Sequence, residues 1–395
     1  MARAATLSSH SYTKSSILTA LNGVKAGIST SEVIELSSSY IFTGDYLTTY
    51  NDRNCVSYPF KTKFSCAVPS KDFYNIIKGI RDKDISLVLG KDESLKISSR
   101  GSEAEIATQV FEGSELEKLI QSLGLAELEF TDAPEGLAKG LDACRFSASK
   151  KVSADNIYCI FINGKTIYSS DNARITRYEL DTELPRVLIP ASSVNELVKF
   201  KIVGYNINVE EGWAHFLTED QAIFSCRIVD GDYEDFSDHF DSFRGTKFKA
   251  PSSTEFRQVL KDVSPLCKGE DDLSKYVEIT LKPGKDTEDS KKTVEVTVFA
   301  EKETGHFKTT IEVEIEREIG EEIMFRINPI FFGQILSKTS HMAVDEGLAL
   351  FKTKHFEHLV SLPVEGEEEE EDDEYEDVEP EEEDTEEEYD DEDDE

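Results

Sequence analysis

The chain has 395 residues, 38% of them hydrophobic, which is enough for two or three buried cores of ordinary domain size. Its 81 acidic and 43 basic residues leave a formal net charge of −38, so no basic surface is visible in the bulk charge. No run of about 18 apolar residues is present and the first thirty residues lack a signal-peptide core, so a soluble intracellular protein is expected.

Three stretches repeat one another. The first opens on a helical pattern through Leu18 and continues to an apolar run at Ile41-Phe42, with Asp52 ten residues after the Phe. The second repeats this as Leu137, Ile160-Phe161 and Asp171, an offset of 119, and Phe256 extends the same offset into the third. Leu141 with Leu260 and Cys144 with Val263 keep that spacing. A repeat of this length is a whole domain rather than a solenoid unit.

A second element recurs within each copy. The run Phe64 to Ser70 leads into Phe73, Ile76, Ile77 and Ile80; Val187 to Ser192 leads into Val194, Leu197, Val198 and Ile202; Phe325 to Pro329 leads into Phe332, Ile335 and Leu336. Each reads as a strand and then a helix start marked by Pro with Ser or Asn. Strands such as Val294 to Phe299 and Thr310 to Ile315 alternate with period two, and a charged hairpin tip from Lys282 to Lys292 lengthens the third copy. The expected class is α+β, with two helices laid on antiparallel sheet in each copy. The boundaries fall at 1–130, 131–245, 246–364 and 365–395.

The last of these segments is an acidic tail. From Glu365 to Glu395 there are 25 acidic residues and no Lys or Arg, so the remainder of the chain carries −13, the difference between −38 and −25. Disorder is expected there, because little apolar surface exists to offset the entropy of ordering. The tail reads either as a solubilising segment or as a polyanion competing for a basic surface of the same molecule.

Such a surface emerges on the six expected helices. The first helices and their flanks carry Lys14 and Lys25, then Lys139, Arg145, Lys150 and Lys151, then Arg257 and Lys261. The second carry Lys71, Lys78 and Arg81, then Lys199 and Lys201, then Lys338. Acidic residues crowd the strands and connections, so helices that all face one way present a basic side; for any single one of these cations a solvated helix face explains it as well.

Catalytic signatures are missing: there is no Walker A loop, G-x-S-x-G elbow, H-E-x-x-H or dinucleotide glycine fingerprint, and no enzyme or cofactor is expected. His355 and His358, three apart on an expected strand, point to opposite faces and read as surface histidines rather than metal ligands. Asp52 and Asp171 read as turn residues. The six cysteines lack any CxxC pairing and read as reduced core residues.

The stretch Val68 to Ile80, with Ile85 to Leu89 and Leu95 to Arg100, resembles the first domain of the bacterial β sliding clamp, the processivity subunit of DNA polymerase III. Asp142 to Ser149 resembles the first helix of that family's middle domain, and Phe224 to Phe236 the segment that closes it. The resemblance runs from about Ser11 to Val364 and leaves the tail outside. It implies three clamp domains per chain and a head-to-tail homodimeric ring whose inner helices face double-stranded DNA without reading its sequence. It further implies a bacterial or phage-encoded member acting in the cytoplasm. Polymerase and clamp loader would bind through short peptide motifs, with no membrane involved.

The resemblance also implies a partner-peptide pocket, carried here by Ile157, Ser170, Arg174, Ile175, Leu362, Pro363 and Val364. Where the family usually has Gly-His before the Arg, this chain has Asn172-Ala173, and the acidic tail begins beside the pocket. Basic-flanked partner peptides are therefore expected to bind better than acidic ones. The alternative is an interaction hub that keeps fold and pocket but does not depend on a ring around DNA.

Overall fold

The computed structural model describes residues 10–29, 34–251, 253–267, 275–283, 292–315, 320–345 and 347–363. Val364, the acidic tail and residues 284–291 of the expected hairpin tip lie outside them.

One order of elements occurs three times. In the first unit α1 (Lys14–Gly23) precedes the strands Ser39–Thr43, Tyr46–Tyr50, Asn54–Pro59 and Ser65–Pro69; α2 (Ser70–Gly79) then leads to Asp84–Leu89, Ser94–Ser98 and Glu103–Ala107. After α3 (Glu115–Ser122), the second unit runs α4 (Leu137–Cys144), two long strands Cys159–Ser170 and Arg174–Pro190, α5 (Ala191–Leu197), then Ile202–Asn208, Trp213–Thr218 and Ile223–Arg227. Following α6 (Ser237–Ser242) and the strand Thr246–Lys249, the third unit runs α7 (Thr254–Val263), Val277–Pro283, Lys292–Lys302, Gly305–Ile315, Ile323–Ile327 and α8 (Pro329–Ile335). It closes with His341–Asp345, Leu348–Lys352 and Phe356–Ser361. All sheet pairings are antiparallel.

The structure corrects the first offset from 119 to 120. Phe42 and Ile162 share one core cluster, whereas Ile41 and Phe161 face the opposite side of their sheets. In a strand a slip of one residue turns every side chain to the other face, so the 119 alignment of Ile41 with Ile160 fails. The turns agree: Asn51 Oδ1 accepts from the backbone N–H of Asn54 at 2.9 Å, as Asp171 Oδ1 does from Arg174 at 3.1 Å. Asp52 and Asn172 then occupy the same left-handed position, with φ of 72° and 70°. On α1 the buried series is Ile17, Leu21 and Val24, matching Leu137, Leu141 and Cys144, and then Phe256, Leu260 and Val263. The 119 offset from second to third copy stands.

Helix starts differ in mechanism. Asn328 caps α8 through the N–H groups of Ile330 and Phe331 at 3.0 and 3.2 Å, with Pro329 pre-set in the first turn. Ser70 and Ala191 receive no such cap. Their N–H groups donate instead to the carbonyls of Ser38 and Tyr158. Gly140 lets α4 approach its sheet closely, since a Cβ there would lie 2.7 Å from Ile167.

Two sheets cross from unit to unit. Asn54–Pro59 pairs with Ile223–Arg227 to make an eight-stranded sheet, and Arg174–Pro190 pairs with Phe356–Ser361 to make a six-stranded one. The two remaining sheets have four strands each and end on Glu103–Ala107 and Gly305–Ile315.

The third core centres on Phe332, fully buried and 5.7, 6.0 and 5.8 Å from the rings of Phe256, Phe325 and Phe351. Phe332→Ala is expected to destabilise by about 3–5 kcal/mol, read from equilibrium urea unfolding.

Candidate nucleic-acid and peptide interfaces

The six helices pack in pairs: α1 with α2, α4 with α5 and α7 with α8. Their own residues are nearly balanced in charge. Lys14, Lys71, Lys78, Lys139, Arg257 and Lys261 lie within them, against Asp72, Asp142, Glu196, Glu255 and Asp262. The other expected cations lie beyond helix C-termini, where the helix dipole favours positive charge.

Several are committed within the chain. Lys14 Nζ donates to the carbonyls of Lys78 and Ile80 at 2.8 and 2.5 Å, closing the end of α2. Arg145 binds Asp142 at 2.8 Å and Asn195 at 3.0 Å, Lys199 pairs with Glu196 and Lys201 with Glu219. Lys338 lies 3.5 Å from Asp142, joining the end of α8 to α4. The Lys78 ammonium lies 6.0 Å from the centre of the Tyr74 ring and has no ion-pair partner among the described residues. Lys25, Lys71, Arg81, Lys139, Lys150, Lys151, Arg257 and Lys261 have no ion-pair partner among the described residues. Arg257 and Lys261 line a groove of about 600 Å³ between α7 and α8, with Ile330 and Gln334 opposite.

The expected pocket residues gather around the hairpin turn 170–174. Ser170 and Ile175 are direct cross-strand partners, Ile175 pairs with Leu359, and the carbonyls of Ile157 and Ser170 both accept from the Ser149 N–H at 3.0 Å. Leu362 is buried in the third core while Ile175 faces the opposite side of the sheet; Pro363 is exposed.

Arg174 is not free to reach a ligand. It is 7% exposed, pairs with Asp171 at 2.8 Å, donates to Gln334 Oε1 at 2.7 Å and the Phe146 carbonyl at 2.6 Å, and stacks 3.8 Å from the Phe331 ring. Burial pushes the Asp171 carboxyl up and the Arg174 guanidinium down, and their mutual attraction opposes both shifts. The side chain clamps the second unit to α8. Gln334, Phe146 and Phe331 were absent from the expected site, since nothing in their spacing marks them.

His358 corrects the surface expectation. It is fully buried, with Nδ1 2.7 Å from Thr176 Oγ1 and Nε2 unpartnered. Burial first, then the charges of Arg174 and Lys338, hold it well below the usual histidine range. His215, bonded to Ser225 at 2.8 Å, is pushed down to about 4 by burial. All six cysteines are buried and free; burial raises Cys55 and Cys66 to about 12, leaving both thiols protonated.

The outer face of the six-stranded sheet carries a feature the sequence did not single out. Lys247, Ala343, Leu350, Leu359, Ile175 and Ser170 are successive cross-strand partners in one row, while Met342 and Phe351 turn inward to the third core. A groove of about 590 Å³ opens at its outer end, with Lys249, His341 and Lys352 beside Lys247.

Arg174→Ala, leaving Asp171 buried and unpaired, is expected to cost about 3–5 kcal/mol in urea unfolding. Both buried histidines bind protons less well folded than unfolded, so stability is complete above the unfolded value near 6.5 and falls as pH drops below it. For His215 the loss at pH 5 is about 2 kcal/mol. His215→Gln is expected to remove that share of the difference between pH 7 and pH 5.

No protein-family model matches the sequence, and no curated protein matches it. Solved structures do. The β subunit of DNA polymerase from Streptococcus pyogenes aligns with TM-score 0.71 at 16% identity, over 90% of this chain and 100% of its own. The DNA polymerase sliding clamp of Bacillus subtilis aligns at 0.69 and 15%, over 90% and 99%. The Helicobacter pylori β clamp bound to DNA ligase peptide aligns at 0.70 and 15%, over 90% and 100%. The chain therefore has the fold of the bacterial DNA polymerase III β subunit, the sliding clamp.

Proposed function

We propose that the chain is a DNA sliding clamp, with domains at 1–130, 131–245 and 246–364, that encircles duplex DNA as a head-to-tail homodimer. One observation carries this reading. The strand Gly305–Ile315 is the third unit's counterpart of Asn54–Pro59 and of the start of Arg174–Pro190, the strands that join units within the chain. Glu103–Ala107 is the first unit's counterpart of their partners, Ile223–Arg227 and Phe356–Ser361. Repeating the same junction between two copies joins both open edges and closes a ring.

Within the ring the helix pairs face the DNA phosphates through the cations that have no ion-pair partner among the described residues. Attraction need only be weak and independent of sequence, because retention is topological. Polymerase and loader peptides would occupy the apolar row at the half-buried Ile175 and Leu350, as the ligase peptide of the Helicobacter pylori protein invites. Loading requires a separate ATP-driven opener, and the place of action is the cytoplasm of a bacterial or phage-infected cell.

The test is retention on nicked circular DNA after loading, before and after linearisation. A clamp remains bound on the circle and is lost when the DNA is cut; equal retention on both forms supports the interaction hub instead. Lys71→Glu, Lys78→Glu, Lys139→Glu and Lys261→Glu together are expected to lower loading roughly tenfold or more at low salt.

A further inference from the structure

The groove on the outer face of the third unit is basic on an acidic protein. Nine residues line it, among them Lys247, Lys249, His341 and Lys352, and none is Asp or Glu. Lys247 is exposed and has no ion-pair partner among the described residues; Lys352 shares its ammonium with Glu357 at 2.5 Å. Glu357 is further drawn to Arg177, which also meets Asp241, so both of these carboxylates are already paired. Asp345 ends the neighbouring strand. The floor is apolar, from Ala343 and Leu350.

We propose that the acidic segment beginning at Glu365 docks in this groove on its own chain. Charge is the first argument: the segment carries 25 carboxylates and no cation, and the groove gathers three lysines without an acid. Reach is the second. The last sheet pair of the terminal strand is Ser361 with Leu348, and Leu359 lies in the row of Lys247, three strands away. That is about 14 Å across the sheet and about 7 Å along it, at roughly 4.8 Å per strand and 3.3 Å per residue. About five extended residues span the distance. Residues 367–373, the first seven of eight consecutive acids at 367–374, therefore fall over the lysines. The helical layer is on the other face, where Phe351 meets Phe332, and offers no such direct path. Tethering supplies a high effective concentration, so individually weak and screened ion pairs suffice.

The docked segment covers the outer end of the row that continues to Leu359 and Ile175. It thereby acts as a tethered competitor for any peptide seated there. Docking itself does not depend on the clamp reading.

The experiment is carbodiimide cross-linking of the full chain, which joins carboxylates in contact with amines, mapped by mass spectrometry at about 50 mM and about 500 mM salt. Cross-links from 367–373 are expected to concentrate on Lys247, Lys249 and Lys352 and to fall several-fold at the higher salt. Lys247→Glu with Lys249→Glu is expected to abolish them, while Lys96→Glu, on the exposed face of the first unit, leaves them unchanged. Cross-links spread over exposed lysines of all three units, or concentrated on the helices, overturn the proposal. So do cross-links joining light to heavy chains in an isotopically mixed sample, which would assign the contact to a second copy.

Discussion

An exposed strand edge carries a row of unpaired N–H and C=O groups, and the whole molecule is arranged around that constraint. Edge pairing between Asn54–Pro59 and Ile223–Arg227, and between Arg174–Pro190 and Phe356–Ser361, makes three repeated units into one body. Side chains reinforce each seam. At the first, Arg227 covers Trp213 and donates to the Asp52 carbonyl at 2.9 Å; at the second, Arg174 binds Asp171, Gln334 and the Phe146 carbonyl. Two seams inside a chain of three units leave one edge of each kind at its ends. A closed assembly of identical copies uses both, and the proposed clamp closes with two.

Charge is distributed according to the same layering. The six paired helices occupy one side of the sheets, while α3 and α6 pack on the other. The cations of the paired helices and their flanks are divided between those that tie the chain to itself, such as Lys14 and Lys338, and those with no ion-pair partner among the described residues, such as Lys71 and Lys261. On the outer side, the basic groove at Lys247 stands out against a chain of net charge −38. On the proposed reading, a polyanionic tail and a polyanionic duplex bind on opposite faces of the sheets and do not compete for one surface.

Repetition made the fold legible in the sequence, because apolar spacings such as Leu141 with Leu260 survive where individual identities do not. The offset between the first two copies was harder, since both Ile41 and Phe42 are apolar and only burial distinguishes their faces. Long-range partners left no local trace. Nothing near Arg174 in sequence announces Gln334 or Phe331, and the strand around His358 gives no sign that its imidazole is enclosed between two units. The expected pocket residues Ser170 and Ile175 do come together, whereas Arg174, expected at the same pocket, is occupied in holding it up.

The proposed ring closes through a third edge-to-edge junction, between Glu103–Ala107 of one copy and Gly305–Ile315 of the other. Imaging of the purified protein by electron microscopy, with its solution mass measured at the same concentration, tests it directly. Six-lobed rings with a central hole, at twice the chain mass of 44.4 kDa, are expected. Open crescents at the mass of a single chain, with the Glu103–Ala107 and Gly305–Ile315 edges unpaired, would contradict ring closure.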